Sequence, residues 1–312
     1  MTLNAPTLQR EKIHLGITPT LWWNDDFPSI DNGVSFEQCV SEMALAGFEG
    51  CSIGHKYPQD PSVLKKALDL RGLRVSEPWV STYFTIEEMK AQTIKTVHQQ
   101  LAFMDAVEGT TNDPRRADLV VAELGCAVHP LPVALYANAP EFTESQWDNL
   151  IEGLDEIGRI AHENGRLLCY HPHLGTGVMK GADVDKLFRR TNPKFVHMLL
   201  DTAHLAAAGV DPLTVAQKFA DRIKHVHLKD IREEVVTRAQ KEGLSFEQAI
   251  EAGIFTVPGD GSIRTFPEIF RVLAGVGFSG WLVIEAEQDP AKATPLDYAK
   301  RARKFLHTQL GW

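Results

Sequence analysis

The chain has 312 residues, of which 44% are hydrophobic and 23% are charged, and its formal net charge is −9. This composition is typical of a globular protein and excludes a disordered, collagen-like or coiled-coil chain. The negative charge disfavours a nucleic-acid-binding protein, because an acidic surface repels phosphate backbones. No apolar run reaches the roughly 18 residues of a membrane span, and residues 1–12 lack the apolar segment of a secretory signal. We therefore expect neither a nucleic-acid nor a membrane partner, and a cytoplasmic location, which the four singly placed cysteines also favour.

Eight short, mostly apolar runs are predicted to be strands, and stretches with helical patterns separate them. In chain order these runs are Ile13–Thr18, Phe48–Ile53, Leu73–Pro78, Asp118–Glu123, Arg166–His171, Phe195–Asp201, Lys224–Leu228 and Trp281–Glu285. Capping-box patterns predict helix starts at Ser35, Thr85, Thr143, Ser245 and Thr265. Continuous apolar strands are typical of a parallel sheet that is covered on both faces.

The repeated strand–helix order predicts an α/β fold, a closed (β/α)8 or TIM barrel formed by residues 1–312 as a single domain. A doubly wound sheet is the competing architecture, but no Gly-x-Gly-x-x-Gly sequence follows the first predicted strand. Residues 231–256 form an insertion after the seventh predicted strand. Because the loops after the strands build the active site of such a barrel, we expect this insertion to contribute to its rim.

Residues that bind metals occur where the last four predicted strands end. One donor from each of these strands would converge on the barrel axis, and we predict a metal site made of His171, Asp201, His227 and Glu285. Two imidazoles and two carboxylates carry a charge that a divalent cation neutralises. The mixed nitrogen and oxygen donors favour Mn²⁺, Co²⁺, Zn²⁺ or Fe²⁺ over Ca²⁺. The alternative for Asp201 is that it only caps the following helix.

Other polar and aromatic residues near the strand ends are candidates for contacts with a polyol or sugar. We predict substrate contacts for Trp22, Asn24, His55, Trp79, Lys229 and Glu287. We predict acid–base roles for His204 and His173, with Lys56 and Glu123 as rivals, because proton transfer needs groups that titrate within reach of neutral pH. Two alternatives are that Trp22 and Trp79 only close the rim, and that Lys229 only pairs with Asp230.

These segments resemble the xylose isomerase-like barrel superfamily, which also contains sugar epimerases and endonuclease IV. Within it, the chain is most similar to the inosose dehydratases. The matching segments are 23–26, 41–48, 56–58, 170–177, 201–204, 225–230, 257–261 and Trp281-Leu282-Val283-Ile284-Glu285-Ala286-Glu287-Gln288-Asp289-Pro290. Two segments depart from the usual family text, namely 51–55 and 123–130.

The resemblance implies a divalent metal, Mn²⁺ or Co²⁺ first, with Zn²⁺, Mg²⁺ or Fe²⁺ as alternatives. It implies a hydro-lyase of inositol catabolism that converts scyllo-inosose to a trihydroxycyclohexane-dione and water. Asp201, His227 and Glu285 match metal positions of the superfamily, and His171 stands where many relatives have glutamate. His204 matches a histidine that faces the substrate in the superfamily.

Dehydration beside a ketone needs a base for the α-proton, an acid for the leaving hydroxyl and a Lewis acid for the enediolate. A metal-dependent keto-sugar isomerase or epimerase is the first alternative, because it would share the enediolate. The second alternative, an endonuclease, would need more ligands and a cationic face. The third is a polyol-binding barrel without catalysis. Association into homo-oligomers stays open at this stage.

Overall fold

The computed structural model describes residues 6–109 and 116–312. The strands are β1 Ile13–Ile17, β2 Gly50–Cys51, β3 Arg74–Val75, β4 Trp79–Thr82, β5 Leu119–Glu123, β6 Leu168–Tyr170, β7 Val196–Asp201, β8 Ile223–Leu228, β9 Asp230–Ile231, β10 Phe255–Thr256 and β11 Gly280–Ile284. Within these residues, nine strands form one sheet in the order β3-β2-β1-β11-β8-β7-β6-β5-β4, and the named neighbours are parallel. This curled parallel sheet with its helices confirms the predicted TIM barrel.

The third barrel strand closes the sheet, and it differs from its prediction. Instead of one strand over 73–78, β3 and β4 flank the segment Ser76-Glu77-Pro78. This segment accepts backbone hydrogen bonds from both sides, at 3.0 Å from Ile53 to Glu77 and at 3.1 Å from Asp118 to Ser76. Proline has no N–H to donate to a ladder, which interrupts the regular pairing at Pro78. The two short strands therefore act together as one of the eight barrel staves.

The helices are α1 Phe36–Leu45, α2 Pro61–Asp69, α3 Lys90–Glu108, α4 Glu144–Glu163, α5 Gly181–Arg190, α6 Thr202–Ala207, α7 Pro212–Phe219, α8 Glu233–Glu242, α9 Phe246–Glu251, α10 Phe266–Gly275 and α11 Pro295–Leu310. Thr143 and Ser245 make the predicted capping boxes, and Ser35 caps α1 by accepting a hydrogen bond from the backbone of Gln38. Thr265 precedes α10 without a side-chain cap. The predicted cap at Thr85 is wrong, because its hydroxyl donates to Glu123 and α3 begins only at Lys90.

The segment after the seventh barrel strand carries structure of its own. Its ends are held by the antiparallel pairing of β9 with β10, and α8 and α9 lie between them. The side chain of Ser29, in the loop after β1, lies 2.5 Å from Glu247 on α9. The segment therefore contacts another loop at the same end of the barrel. Among the helices of residues 6–109 and 116–312, none has the length and apolarity to span a membrane.

Alternation along the strands decides which side chains enter the barrel. Val120, Cys169 and Leu199 form a small buried cluster that is separate from the larger core between sheet and helices. Side chains two residues further along two of these strands, His171 and Asp201, point the same way. The barrel interior therefore has an apolar patch on these three strands, with polar side chains directly above it at the carboxyl ends of two of them.

Candidate active site

The four predicted metal ligands come together at the carboxyl ends of their strands. His171 follows β6, Asp201 and His227 lie at the ends of β7 and β8, and Glu285 follows β11. All four are buried, and each offers a donor atom within 4.8 Å of the others. Asp201 Oδ2 lies 3.4 Å from His171 Nε2 and 3.8 Å from His227 Nδ1. His227 Nδ1 also lies 2.5 Å from Glu285 Oε2.

Unpaired polar atoms in this cluster fit a bound cation. Asp201 Oδ1 accepts hydrogen bonds from the backbone of Ala203 and His204, at 2.8 and 2.7 Å, and so caps α6. Within residues 6–109 and 116–312, Asp201 Oδ2 and both ring nitrogens of His171 have no hydrogen-bonding partner, although they are buried. Unpaired polar atoms are costly to bury, and a bound divalent metal would give these atoms a partner. Imidazole nitrogens and carboxylate oxygens are ligands that Mn²⁺, Co²⁺, Zn²⁺ and Fe²⁺ accept.

Two pKa shifts, at His171 and Glu285, favour cation binding, whereas the shift at His227 opposes it. Burial lowers the pKa of His227, but Glu285 and Glu77 raise it overall to about 10, so a cation would have to displace a proton from this imidazole. Burial lowers the pKa of His171, against the opposing effect of Asp201, so its imidazole stays neutral and keeps a lone pair. Burial raises the pKa of Glu285, but Lys229 and His227 outweigh it and hold that pKa well below its usual range. A neutral imidazole and an ionised carboxylate are the protonation states that metal ligation requires.

Lys229 forms a buried polar group beside the cluster together with Glu287 and His204. Its Nζ lies 2.5 Å from Glu287 Oε2, 3.0 Å from His204 Nε2 and 3.6 Å from Glu285 Oε1. Burial lowers the pKa of Lys229, but the carboxylates of Glu285 and Glu287 raise it overall, so the amine is cationic. Burial raises the pKa of Glu287 to about 7, against the lowering by Lys229. Glu287 can therefore take up or release a proton near neutral pH.

Asp230 is not the partner of Lys229. Its carboxylate accepts hydrogen bonds from the backbone of Ile231, Gly259, Gly261 and Ile263, at 2.8 to 3.2 Å. It therefore holds the loop that follows β10. The glycine-rich sequence 257–261 is thus a turn fastened to Asp230.

A cavity of about 110 Å³ opens to solvent beside the cluster. It is lined by Thr18, Thr20, Asn24, Asp25, Asp26, Ser52, Ile53, Glu77, Trp79, Val120, His173, His227, Glu285 and Glu287. Hydroxyl, amide and carboxylate groups with one indole suit a hydroxylated ring, whose polar edges need hydrogen bonds and whose C–H faces pack on aromatic surfaces.

His173 lies in the cavity wall with one ring nitrogen committed. Its Nδ1 lies 2.9 Å from the carbonyl oxygen of Leu174, so Nδ1 carries the proton and Nε2 carries the lone pair. Burial, reinforced by neighbouring histidines, lowers the pKa of His173 well below its usual range. The centroid of the His173 ring lies 3.9 Å from that of His204 and 5.7 Å from that of Phe246 on α9. The predicted insertion, which contains Phe246, therefore supplies part of the wall around His173.

The structure brings most of the other predicted residues to this region. Asn24, Trp79, His173 and Glu287 line the cavity, and Lys229 and His204 are buried beside Glu287. His55 is half-exposed, and its Nδ1 lies 2.5 Å from Asp25 Oδ1, so it reaches the cavity only through Asp25.

Three predicted residues are not at the cavity, and each has another partner. Trp22 is fully buried and donates a hydrogen bond to Glu42 at 2.6 Å. Lys56 pairs with Asp31 at 2.6 Å.

Glu123 is the third, and strand alternation explains its position. Its carboxylate accepts hydrogen bonds at 2.8 Å from the hydroxyl of Thr82, at the end of β4, and from that of Thr85, in the loop that follows. Because Val120 faces into the barrel, Glu123 faces the helix layer. Trp22, Lys56 and Glu123 therefore do not enter the proposal below.

Sequence analysis missed Glu77, His225 and Asp118, which are buried inside the barrel. Glu77 lies 3.2 Å from His227 Nε2, and Asp118 lies 2.8 Å from His225 Nδ1. Two signals could have found them. Glu77 is the only acidic residue of the predicted strand 73–78. His225 is two residues from His227, so the two histidines share a strand face.

Comparisons with known proteins agree with the architecture. A family model described as a xylose isomerase-like TIM barrel matches residues 40–309. The chain is 46% identical over 300 residues to an inosose dehydratase of Bacillus cereus, and the match covers 96% of this chain and 98% of that protein. It is 44% identical over 306 residues to inosose dehydratase of Geobacillus thermodenitrificans, with 97% and 99% covered.

Solved structures share the fold at much lower sequence identity. The structure of L-ribulose 3-epimerase aligns with a TM-score of 0.66 at 18% identity, over 96% of this chain and 95% of that one. A probable 3-DHS dehydratase from Bacillus anthracis aligns with a TM-score of 0.64 at 14% identity, over 94% and 98%. At these identities the likeness concerns the fold alone.

Proposed function

Because this chain belongs to the xylose isomerase-like TIM barrel family, we propose that it is a metal-dependent lyase that removes water from a keto-inositol. The chain is 46% identical to one inosose dehydratase, and this similarity supports the substrate class and the reaction. The substrate we propose is scyllo-inosose, and the product is a trihydroxycyclohexane-dione. The observation that carries the proposal is the cluster of His171, Asp201, His227 and Glu285 beside a polar cavity.

The cation we propose for this cluster is Mn²⁺ or Co²⁺. When bound, it would supply Lewis acidity towards the substrate's oxygen atoms, which can contribute several kcal/mol to a reaction that develops enediolate charge. The two imidazoles and two carboxylates also accept Zn²⁺ and Fe²⁺. Four cysteines without disulfides agree with a reducing cytoplasm, where we propose the protein acts in inositol catabolism.

Loss of water beside a ketone removes a proton from the carbon next to the carbonyl and breaks the bond to a hydroxyl on the following carbon. We assign proton removal to His173 Nε2. Its lone pair is fixed by the contact of Nδ1 with Leu174, and its lowered pKa keeps it unprotonated at neutral pH. A positioned base typically contributes about 10²–10⁴-fold to the rate.

We assign protonation of the leaving hydroxyl to Glu287. It lines the cavity, and with a pKa of about 7 a large fraction of its carboxyl is protonated at neutral pH. Lys229 holds this carboxyl in place. His204 lies between the two groups, with its ring 3.9 Å from that of His173 and its Nε2 3.4 Å from Glu287 Oε2. Because its Nε2 faces Glu287, we assign His204 the exchange of a proton with Glu287, in keeping with its predicted acid–base role.

The direct test incubates the purified protein with scyllo-inosose and Mn²⁺ and follows the mass of the product. The proposal expects a product lighter by one water molecule. A product of unchanged mass would favour an isomerase or epimerase instead, and no product despite saturable substrate binding would favour a polyol-binding barrel.

Variants of the two acid–base residues refine this test. Changing His173→Gln or Glu287→Gln should lower kcat by about 10²–10⁴-fold. Mn²⁺ binding should persist in both variants, because neither residue belongs to the four-residue cluster. Asp221→Asn, a change in the turn Ala220–Arg222 before β8, is the matched control and should leave kcat unchanged. Undiminished kcat in both active-site variants would contradict the assignments.

A further inference from the structure

Below the proposed cation site, four buried side chains form a continuous polar row inside the barrel. The row starts at Asp118, whose Oδ2 lies 2.8 Å from His225 Nδ1. His225 Nε2 lies 3.5 Å from Glu77 Oε2, and Glu77 Oε1 lies 3.2 Å from His227 Nε2. The row therefore ends on one of the four proposed ligands.

The two nitrogens of His227 face different neighbours. Nδ1 faces the carboxylates of Glu285 and Asp201, at 2.5 and 3.8 Å, which is the side where a cation would bind. Nε2 faces Glu77 on the opposite side of the ring. A neutral imidazole that gives its Nδ1 lone pair to a cation must carry its proton on Nε2. An ionised carboxylate only accepts hydrogen bonds, so Glu77 can only accept from that proton.

We propose that Glu77 is a positioning residue that fixes the tautomer and ring orientation of His227, so that Nδ1 points its lone pair at the cation. This inference rests on the proposed metal site. Ligating histidines generally donate their second N–H to such a partner, and loss of the partner typically lowers metal affinity by 10–100-fold.

The rest of the row lies beside Glu77, with 3.5 Å between His225 Nε2 and Glu77 Oε2 and no hydrogen bond between these two atoms. Asp118 accepts the Nδ1 proton of His225, which directs His225 Nε2 towards Glu77 Oε2. Glu77 comes from the interrupted third barrel stave, beside Pro78, whereas His225 and Asp118 come from β8 and the residue before β5. The row therefore draws on three separate segments of the barrel. Glu77 contacts His227 directly, whereas Asp118 contacts only His225.

The test measures Co²⁺ binding to the full chain by calorimetry and by visible absorption, so it does not depend on turnover. We expect Glu77→Gln to weaken Co²⁺ binding by about 10–100-fold and to alter the Co²⁺ spectrum, because an amide can donate or accept and no longer fixes the tautomer. We expect Asp118→Asn to weaken binding less. At saturating Co²⁺, Glu77→Gln should recover more activity than at limiting Co²⁺.

The matched control is Glu108→Gln. The side chain of Glu108 is 5% exposed, and its carboxylate lies 2.7 Å from the guanidinium of Arg166. This ion pair is not part of the proposed metal cluster. We expect Glu108→Gln to lower thermal stability but to leave Co²⁺ affinity and spectrum unchanged. Wild-type affinity and spectrum in a folded Glu77→Gln variant would overturn the inference. If that variant does not fold, a folded Asp118→Asn variant with wild-type affinity and spectrum would overturn it.

Failure of the underlying metal site gives a different result. Wild-type protein that binds no Co²⁺ would refute the proposed metal site and this inference with it. Wild-type protein that binds Co²⁺ no more tightly than Glu77→Gln would refute only the role of Glu77.

Discussion

Asp201 combines two tasks in one carboxylate. Oδ1 caps α6, and the unpaired Oδ2 faces the cluster, so capping and ligation are not alternatives for this residue. The short interval between the end of β7 and the start of α6 makes this possible. An aspartate that ends a barrel strand and precedes a helix can serve both the fold and the site.

This division predicts that Asp201→Asn separates the two tasks. The amide oxygen can still cap α6, because asparagine is as good a cap as aspartate, whereas the amide nitrogen cannot bind a cation. We expect the stability of the metal-free protein to change by less than about 1 kcal/mol and Mn²⁺ affinity to fall below detection. Thermal unfolding and equilibrium dialysis measure these two effects.

Asp211→Asn is the control for this prediction, because Asp211 caps α7 in the same way but lies outside the cluster. It should retain full Mn²⁺ affinity. Equal Mn²⁺ affinity in Asp201→Asn and wild type would remove Asp201 from the metal site.

His197 on β7 makes stability depend on pH. Burial, with help from Lys224 and Arg222, lowers its pKa from 6.5 to about 4 in the folded chain. The unfolded chain therefore binds a proton between these two pH values and the folded chain does not, so acidification destabilises the fold below pH 6.5. Above that pH the residue makes no such contribution.

We expect the free energy of unfolding of His197→Leu to fall less than that of wild type when pH falls from about 7.5 to about 5. The difference should reach at most about 1.4 kcal/mol for each pH unit below the pKa of the unfolded chain. Chemical denaturation at both pH values measures the difference. Other buried histidines titrate in both proteins, so the comparison isolates His197. Parallel pH profiles for the two proteins would show that His197 titrates alike in folded and unfolded chains.

At the scale of elements, strand alternation explains which sequence predictions hold. The apolar runs predicted eight staves, and the strand ends predicted which residues meet, because the barrel brings all carboxyl ends to one face. His171, Asp201, His227 and Glu285 could be found in this way. Strand positions alone bring these four side chains together, so their proximity could be predicted without knowing any loop conformation.

The same alternation shows why other residues were missed or misassigned. Glu123 ends its strand as the ligands do, but the inward position of Val120 places it on the opposite face. Its carboxylate also displaced the predicted cap at Thr85, a long-range contact that local sequence patterns cannot reveal. Glu77 lies inside the predicted strand 73–78 and not after its end, so the pattern of polar residues at strand ends did not indicate it. Trp22 and Lys56 depend on loop conformations that have no periodic pattern.

A close approach between two strands gives a prediction about packing. Trp281 of β11 lies on Gly50 of β2, where an added Cβ would be 2.2 Å from the indole ring. We expect Gly50→Ala to destabilise the protein by about 1–3 kcal/mol, since the buried ring would have to move. Gly275→Ala, at the end of α10, is the control, because among the described residues no atom beyond its chain neighbours and the backbone of its own helix lies within 4 Å of the added Cβ.

Denaturant unfolding of both glycine variants measures these effects. Gly275→Ala should be neutral or slightly stabilising, because alanine favours helix more than glycine does. A Gly50→Ala variant as stable as wild type would mean that the indole ring of Trp281 can move aside at little cost.

At the scale of the whole molecule, the barrel concentrates buried charge of one sign. Asp118, Glu77, Asp201 and Glu285 are all buried inside it. Positive charge near them comes from Lys229 and from His225 and His227, whose pKa values the neighbouring carboxylates raise against the effect of burial. Buried charges of one sign are costly without compensation. The proposed divalent cation at the strand ends would supply part of this compensation and would also bind the unpaired atoms of His171 and Asp201. It would thus contribute to stability as well as to the proposed chemistry.

The most direct test of this account is the Mn²⁺ content of protein that has been stripped with chelator, reloaded and desalted. Elemental analysis should find one Mn²⁺ per wild-type chain and none in the Glu285→Gln variant, with wild type unfolding at a higher temperature when reloaded. Wild type that retains no Mn²⁺, or a Glu285→Gln variant that retains a full equivalent, would contradict a metal centre built from these four strand ends.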